Sequence, residues 1–255
     1  MRLTVVGCSG SFPGPDSPAS CYLVEADDGE RTWRILLDLG NGAFGVLQRF
    51  VDPITVDAIL FSHLHPDHYF DIAGMYVVWK YHPDGPRPRI PVWGPTGVAD
   101  QVARAYGLPL QPGMHHEFEF HDYDDDGGTA FRIGPVAVST VRMAHPVPTY
   151  GLRLEHGGKV LAYSGDTGPS PAVSELARSG DLFLCEAAFL ESGDNPADLH
   201  LTGKQAGAAA SDAGAGRLVL THVPPWHQPE TVLAEAAESF GGPAQLAATG
   251  AVYEL

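Results

Sequence analysis

The chain has 255 residues, 44% of them hydrophobic and 18% charged, which suits a folded chain and excludes a collagenous, disordered or disulfide-stapled one. Acidic residues outnumber basic ones by 31 to 15, for a formal net charge of −16, a field that repels polyanions and speaks against broad binding to nucleic acid or an anionic membrane. No apolar run approaches the ~18 to 20 residues needed to span a bilayer, and the N-terminal stretch lacks a long apolar segment with a cleavage site.

In chain order, Leu3 to Val6, Tyr22 to Glu25 and Arg34 to Asp38 read as strands, separated by the Gly, Pro and Ser cluster of Gly7 to Ser20 and by Asp27-Asp28-Gly29. Asp57 to Ser62 is a buried strand by its length and runs straight into a histidine-rich loop. A helix is predicted from about Asp71 to Lys80, a short strand over Ile90 to Trp93, and a helix over Thr96 to Tyr106 ended by Gly107 and Pro109. Gln111 to Gly128, with His115, His116 and the acidic cluster Asp122, Asp124, Asp125 and Asp126, reads as a solvated loop. Ala130 to Val141 and Tyr150 to Ala162 alternate as strands, the latter turning at His156-Gly157-Gly158. Beyond them, strands and helices alternate. A helix starts at Ser170-Pro171, Asp181 to Cys185 is a strand, and Thr202-Gly203-Lys204-Gln205 has capping-box spacing for an Ala-rich helix stopped by Gly214 and Gly216. Arg217 to Thr221 is a strand, a helix opens at Pro229, and Val252-Tyr253 closes the chain. At roughly 150 residues per domain the length allows one large domain or two small ones. With no linker and no internal repeat, one domain over 1–255 is expected, with two sheets between helices.

The chemistry concentrates in Ser62-His63-Leu64-His65-Pro66-Asp67-His68. Side chains two apart in an extended segment point the same way, so His63 and His65 can grip one cation at the end of a buried strand. Pro66 forces a turn, beyond which Asp67 and His68 offer a second group of ligands. His145, Asp166 and His222 each follow an apolar strand and are candidates to complete the site. Cys8, Cys21 and Cys185 are odd in number and widely spaced, which suits reduced thiols and a cytoplasmic location.

This pattern resembles the metallo-β-lactamase fold, an α/β four-layer αββα sandwich whose HxHxDH motif is followed by His, Asp and His ligands in the same order. The resemblance implies one metal on His63, His65 and His145, a second on Asp67, His68 and His222, and Asp166 bridging them. It implies two divalent ions, zinc first and manganese second. Asp38 in Asp38-Leu39-Gly40 resembles the acid that the family places behind its histidine loop, against the plainer reading of a turn residue. A bridging carboxylate in place of a thiolate suits two hard or borderline cations and phosphoryl displacement. Asp67 is expected to serve both as ligand and as acceptor of the attacking water's proton.

Glu186, in Leu184-Cys185-Glu186-Ala187-Ala188, and His200, in His200-Leu201-Thr202, resemble the His-Glu-Ala-Thr and His-Ser-Thr motifs of the RNase Z-like branch. As a pair they are expected to protonate a leaving oxygen; the plainer reading of His200 is a residue that merely precedes the helix cap. Long-armed RNase Z enzymes carry an insertion between the third and fourth metal motifs that clasps transfer RNA. Here His145 and Asp166 stand 166 − 145 = 21 positions apart, too few for it. The N-terminal loop, the Leu-Cys-Glu-Ala and His-Leu-Thr-Gly runs and Thr221-His222-Val223-Pro224-Pro225-Trp226 look like the actinobacterial cyclic-nucleotide phosphodiesterases of this superfamily. Expected, therefore, is a dinuclear phosphodiesterase for a small cyclic nucleotide such as cAMP, with a homodimer allowed, no membrane partner and little extended nucleic-acid binding. RNA 3′ processing, thiolester or lactone hydrolysis and a non-catalytic metal-binding nucleotide sensor are the alternatives. Trp226 and His227 are read either as packing residues or as a wall for a base.

Overall fold

Alternating apolar residues drive the start of the chain into an antiparallel meander. In the computed structural model, which describes residues 1–255, β1 (Arg2–Gly7), β2 (Cys21–Asp27) and β3 (Thr32–Leu37) pair in that order. Helix α1 (Ala43–Leu47) and a 3-10 turn at Pro53–Thr55 then carry the chain over, so that β4 (Ala58–Leu60), β5 (Ile90–Gly94) and β6 (Phe118–Asp122) join in parallel. Helices α2 (Pro66–Tyr69) and α3 (Ile72–Tyr81) lie between β4 and β5, and α4 (Val98–Tyr106) precedes β6.

A second sheet opens with β7 (Gly127–Ile133), β8 (Val136–Arg142), β9 (Tyr150–His156) and β10 (Lys159–Tyr163), all antiparallel neighbours. It continues in parallel with β11 (Leu182–Glu186), β12 (Leu218–Thr221) and β13 (Ala244–Leu246), interleaved with α5 (Pro171–Leu176), α6 (Gly203–Ala213) and α7 (Pro229–Ala237). Finally β14 (Val252–Glu254) returns to the first sheet beside β1. The orders β14-β1-β2-β3-β4-β5-β6 and β13-β12-β11-β10-β9-β8-β7 mirror one another.

Three apolar cores hold the layers. Leu37, Leu60, Leu152, Leu184 and Val219 lie between the sheets; Ile72, Met75, Trp79 and Val102 join the outer face of the first sheet to its helices; Val173, Ala206, Ala210 and Val232 do the same for the second. Helix, sheet, sheet and helix stack as the expected four-layer sandwich.

Two expectations need correction. Gln111 to Gly128 is not one loop, because Phe118–Asp122 forms the edge strand β6, with Phe118 fully buried against the core. Glu119 and His121 alternate with Phe118 and Phe120 along it, and with Asp122 at its end these polar residues hide the strand signal. Ala130 to Val141 is a hairpin and not one strand, turning at Gly134-Pro135, where Gly134 takes φ 51°. The three cysteines are free thiols, Cys21 and Cys185 buried and Cys8 half-buried.

β8, β10, β11 and β12 run the same way, and their carboxyl ends meet the end of β4. The amide of Tyr150 donates to the carbonyl of Ser62 at 2.9 Å, tying the sheets together at that edge. Open α/β sheets place ligands at such carboxyl ends. Just past it, Thr202 caps α6: its hydroxyl accepts from the Gln205 amide at 3.2 Å and the Gln205 side chain accepts from the Thr202 amide at 3.0 Å. Thr202→Ala should lower stability by about 1 kcal/mol. Urea denaturation would check this, and an unchanged midpoint would show the cap to be idle.

Candidate metal and hydrolytic site

The loop after β4 is shaped before any ligand is considered. His65 takes extended angles and caps α2, Pro66 opens that single turn, and the His68 amide closes it onto the His65 carbonyl at 2.9 Å. This turns Asp67 and His68 into a second cluster beside the first, with the His68 ring still 4.1 Å from that of His63. Across the sheet interface, His145 follows β8, Asp166 follows β10 and His222 follows β12. Gly165 permits Asp166 its approach, since at φ 58° a Cβ there would lie 2.9 Å from Cβ of Ser62. His222 itself sits at φ 58°, an uncommon conformation for a side-chain-bearing residue, held by its amide's bond to the Cys8 carbonyl at 3.0 Å.

The seven side chains gather into two clusters that share Asp166. His63, His65, His145 and Asp166 form one; Asp67, His68, His222 and Asp166 form the other. Within the first, His63 Nε2 lies 3.0 Å from His65 Nδ1, His65 Nδ1 lies 3.3 Å from His145 Nε2, and His63 Nε2 lies 3.6 Å from Asp166 Oδ2. In the second, His68 Nε2 is 3.3 Å from Asp166 Oδ1 and 3.4 Å from Asp67 Oδ2, and His222 Nε2 is 3.4 Å from Asp166 Oδ2. Tetrahedral ligands with bonds of ~2.0–2.2 Å stand about 3.3–3.6 Å apart. The donors have that spacing save for His63 and His65, which stand closer at 3.0 Å.

Their far sides fix which nitrogen is free. The Ser62 hydroxyl donates to Asp38 Oδ2 at 2.8 Å and so accepts from His63 Nδ1 at 3.1 Å, leaving the lone pair of His63 on Nε2. His145 Nδ1 donates to the Leu199 carbonyl at 2.8 Å, His68 Nδ1 to Asp38 Oδ2 at 2.7 Å, and His222 Nδ1 meets the Ser20 hydroxyl at 3.1 Å. Nε2 of His68, Nε2 of His222 and Oδ1 of Asp166 are buried without any hydrogen-bond partner. Such orphaned atoms are costly unless something else meets them, and their convergence fits a bound cation.

Asp38 is no ordinary turn residue. Fully buried at φ 57°, its Oδ1 accepts the Ser62 amide at 2.7 Å, while its Oδ2 accepts Ser62 Oγ, His68 Nδ1 and the Tyr163 hydroxyl at 2.7–2.8 Å. Glu186 plays a similar part on the other sheet. Its Oε1 accepts the Thr167 amide at 2.7 Å and His200 Nδ1 at 2.9 Å, and its Oε2 accepts the amides of Ala188 and Leu201. The His200 ring lies 5.5 Å from that of His145 and 5.4 Å from that of His222, and His200 and Glu186 cluster with Asp166. Sequence reasoning missed Ser20, Ser62, Tyr163 and Leu199. Ser62 abuts the histidine motif and was findable; Tyr163 lies in an apolar alternation and gave no signal.

Burial sets most of the charges. It pushes the imidazoles of His63, His65, His145 and His222 below their usual range, so they stand neutral with lone pairs available. For His68 burial acts the same way but is outweighed by Asp166, Asp67 and Asp38, which raise it well above, since these carboxylates call for positive charge at that spot, whether a proton or a cation. For Asp166 and Asp67, burial opposes ionisation and the surrounding histidines overcome it, holding both carboxyls low. At His200 burial lowers and Glu186 raises, and the carboxylate wins, lifting the imidazole to about 9.

Comparison with known proteins agrees with this geometry. A family model described as a beta-lactamase superfamily domain matches residues 33–223. An uncharacterized protein of Mycobacterium leprae is 41% identical, over the whole of this chain and 89% of the relative. The ribonuclease Z of Mycobacterium marinum is 30% identical over 96% of this chain and 95% of its own. The crystal structure of YhfI from Bacillus subtilis, a metallo-beta-lactamase fold protein, superposes with a TM-score of 0.87 at 26% identity, covering 100% of this chain and 99% of that one. Asp38→Asn should keep the shape of its pocket yet misdirect His68, costing about 10–100-fold in metal affinity. Competition with a chromophoric chelator would measure this, and unaltered affinity would remove Asp38 from the support of the site.

Proposed function

The chain belongs to the metallo-β-lactamase superfamily of metallo-hydrolases, and within it we propose a dinuclear phosphodiesterase that opens a 3′,5′-cyclic nucleotide such as cAMP to the 5′-monophosphate. The observation that carries this reading is the pairing of two donor clusters through one carboxylate with a carboxylate-held histidine beside them. His63, His65 and His145 would hold one cation, Asp67, His68 and His222 the other, and Asp166 both. When bound, two divalent cations supply Lewis-acid charge for the attacking and leaving oxygens of a phosphoryl displacement.

The chain's own residues then divide the proton transfers. Asp67, a carboxylate only slightly open to solvent, is assigned as acceptor of the attacking water's proton. Glu186, anchored by three backbone amides, holds Nδ1 of His200 and so leaves its Nε2 as the donor to the departing ribose oxygen. An imidazole lifted to about 9 is charged at neutral pH and has that proton to give.

A small substrate is favoured by what occupies the stretch between His145 and Asp166. The hairpin β9–β10, closed at His156-Gly157-Gly158, takes up nearly all of it and leaves no length for an RNA-gripping arm. The charge of −16 points the same way. Identity to a ribonuclease Z supports the second reading, RNA 3′ processing, and the two part cleanly in a turnover panel.

Protein shown by elemental analysis to carry two ions per chain, zinc or manganese, should hydrolyse cAMP or cGMP and leave precursor transfer RNA nearly untouched. Efficient RNA cleavage with no cyclic-nucleotide turnover at either metal would overturn the choice of substrate. His200→Ala should slow cAMP hydrolysis at least about 100-fold more than that of bis(p-nitrophenyl) phosphate, whose nitrophenolate departs without a proton. Equal losses on the two substrates would contradict the acid role.

A further inference from the structure

Trp226 is 63% exposed and Phe12 39% exposed, yet their ring centroids lie only 4.9 Å apart at an interplanar angle of 45°. Two large apolar rings kept in water on two segments that meet at His222 call for an explanation. Packing does not supply one, since neither belongs to any of the three cores.

Both rings ride on segments anchored to His222. Trp226 stands four positions beyond it, so at ~3.3–3.6 Å per residue its Cα is within about 14 Å of that of His222. Phe12 lies on the loop between β1 and β2, which presses on the same histidine. The Gly10 amide donates to the Val223 carbonyl at 3.2 Å, and a Cβ at Gly10 would fall 2.1 Å from the His222 carbonyl oxygen and 3.0 Å from Cδ2 of its ring.

The two rings are also held in place. The Ser9 hydroxyl donates to the Phe12 carbonyl at 2.7 Å, Ser11 adopts φ 64°, and Pro13 follows directly. On the other segment Pro224 and Pro225 precede Trp226, the His227 amide turns back onto the Pro224 carbonyl at 3.0 Å, and the indole N–H donates to His227 Nε2 at 3.2 Å. Prolines and fixed turns on both sides reduce the entropy that a ligand would otherwise have to remove. A paired, exposed and preordered aromatic surface on two segments that meet at a donor-cluster histidine has the properties of a stacking platform.

We propose that Phe12 and Trp226 form the wall against which the purine base stacks, with His227 positioning the indole; this rests on the cyclic-nucleotide reading of the adjoining site. The wall selects for the base and leaves the phosphate to the donor clusters. It is therefore a specificity element, separable from the chemistry.

The experiment compares binding of AMP and of ribose 5-phosphate, the same phosphate without a base, to the metal-loaded protein by calorimetry. Wild type should prefer AMP, and Trp226→Ala and Phe12→Ala should each shrink that preference by roughly tenfold. Trp226→Tyr should restore most of it, and Tyr81→Ala, which removes an exposed aromatic on α3, should leave it unchanged. In kinetics, KM for cAMP should rise in the two alanine variants with a much smaller change in kcat. No preference for AMP in wild type, or an undiminished preference in both alanine variants with unfolding midpoints like wild type, would overturn the wall. Failure of wild type to hydrolyse any cyclic nucleotide would instead sink the reading of the reaction, while the AMP comparison still decides whether the rings bind a base.

Discussion

One buried carboxylate organises the metal-ligand cluster. Asp38 sits at the end of β3 with no access to water, and an isolated anion there would be prohibitively costly. Four donors offset that cost, and each belongs to a part that must be aimed: the amide that starts the histidine loop, the Ser62 hydroxyl that directs His63, the imidazole of His68, and Tyr163 from the opposite sheet. Charge-assisted bonds of 2.7–2.8 Å to a common acceptor define angles as well as distances. His68 directly, and His63 through Ser62, take their orientation from it.

Glu186 does for the second sheet what Asp38 does for the first, with a difference of purpose. Asp38 binds His68 directly and reaches His63 through Ser62, so its charge orients one donor in each cluster. Glu186 is held by three amides and turns its remaining capacity to one side chain, His200. A buried carboxylate at a strand end thus gathers a different set of partners in each sheet.

The sequence carried the histidine loop openly, because three histidines and an aspartate within six positions after a buried strand have few structural uses. His145, Asp166 and His222 were visible only as single polar residues at strand ends, and their meaning lay in order and in resemblance. What could not be read was whatever depends on distant parts of the chain coming together. Ser20 holds His222 across 202 positions, and Tyr163 reaches Asp38 across 125. β6 was hidden for a related reason: its charges face solvent at the sheet edge, and its burial depends on β5 and the helices beside it. The exposure of Trp226 likewise follows from the Pro-rich turn that lifts it, which no local periodicity reports.

The division of donors between the halves of the sandwich has a mechanical corollary. His63, His65, Asp67 and His68 come from the β4 side, whereas His145, Asp166 and His222 come from the other sheet, so each cluster draws on both. A cation in either cluster would be a cross-link between two layers that otherwise meet through apolar contacts and a few hydrogen bonds. Sliding one sheet against the other would pull every nitrogen off its target at once, so ion retention and sheet registry become a single cooperative property. The sandwich is then a vise as well as a scaffold, and withdrawing the ions would loosen its jaws before it disturbed either layer.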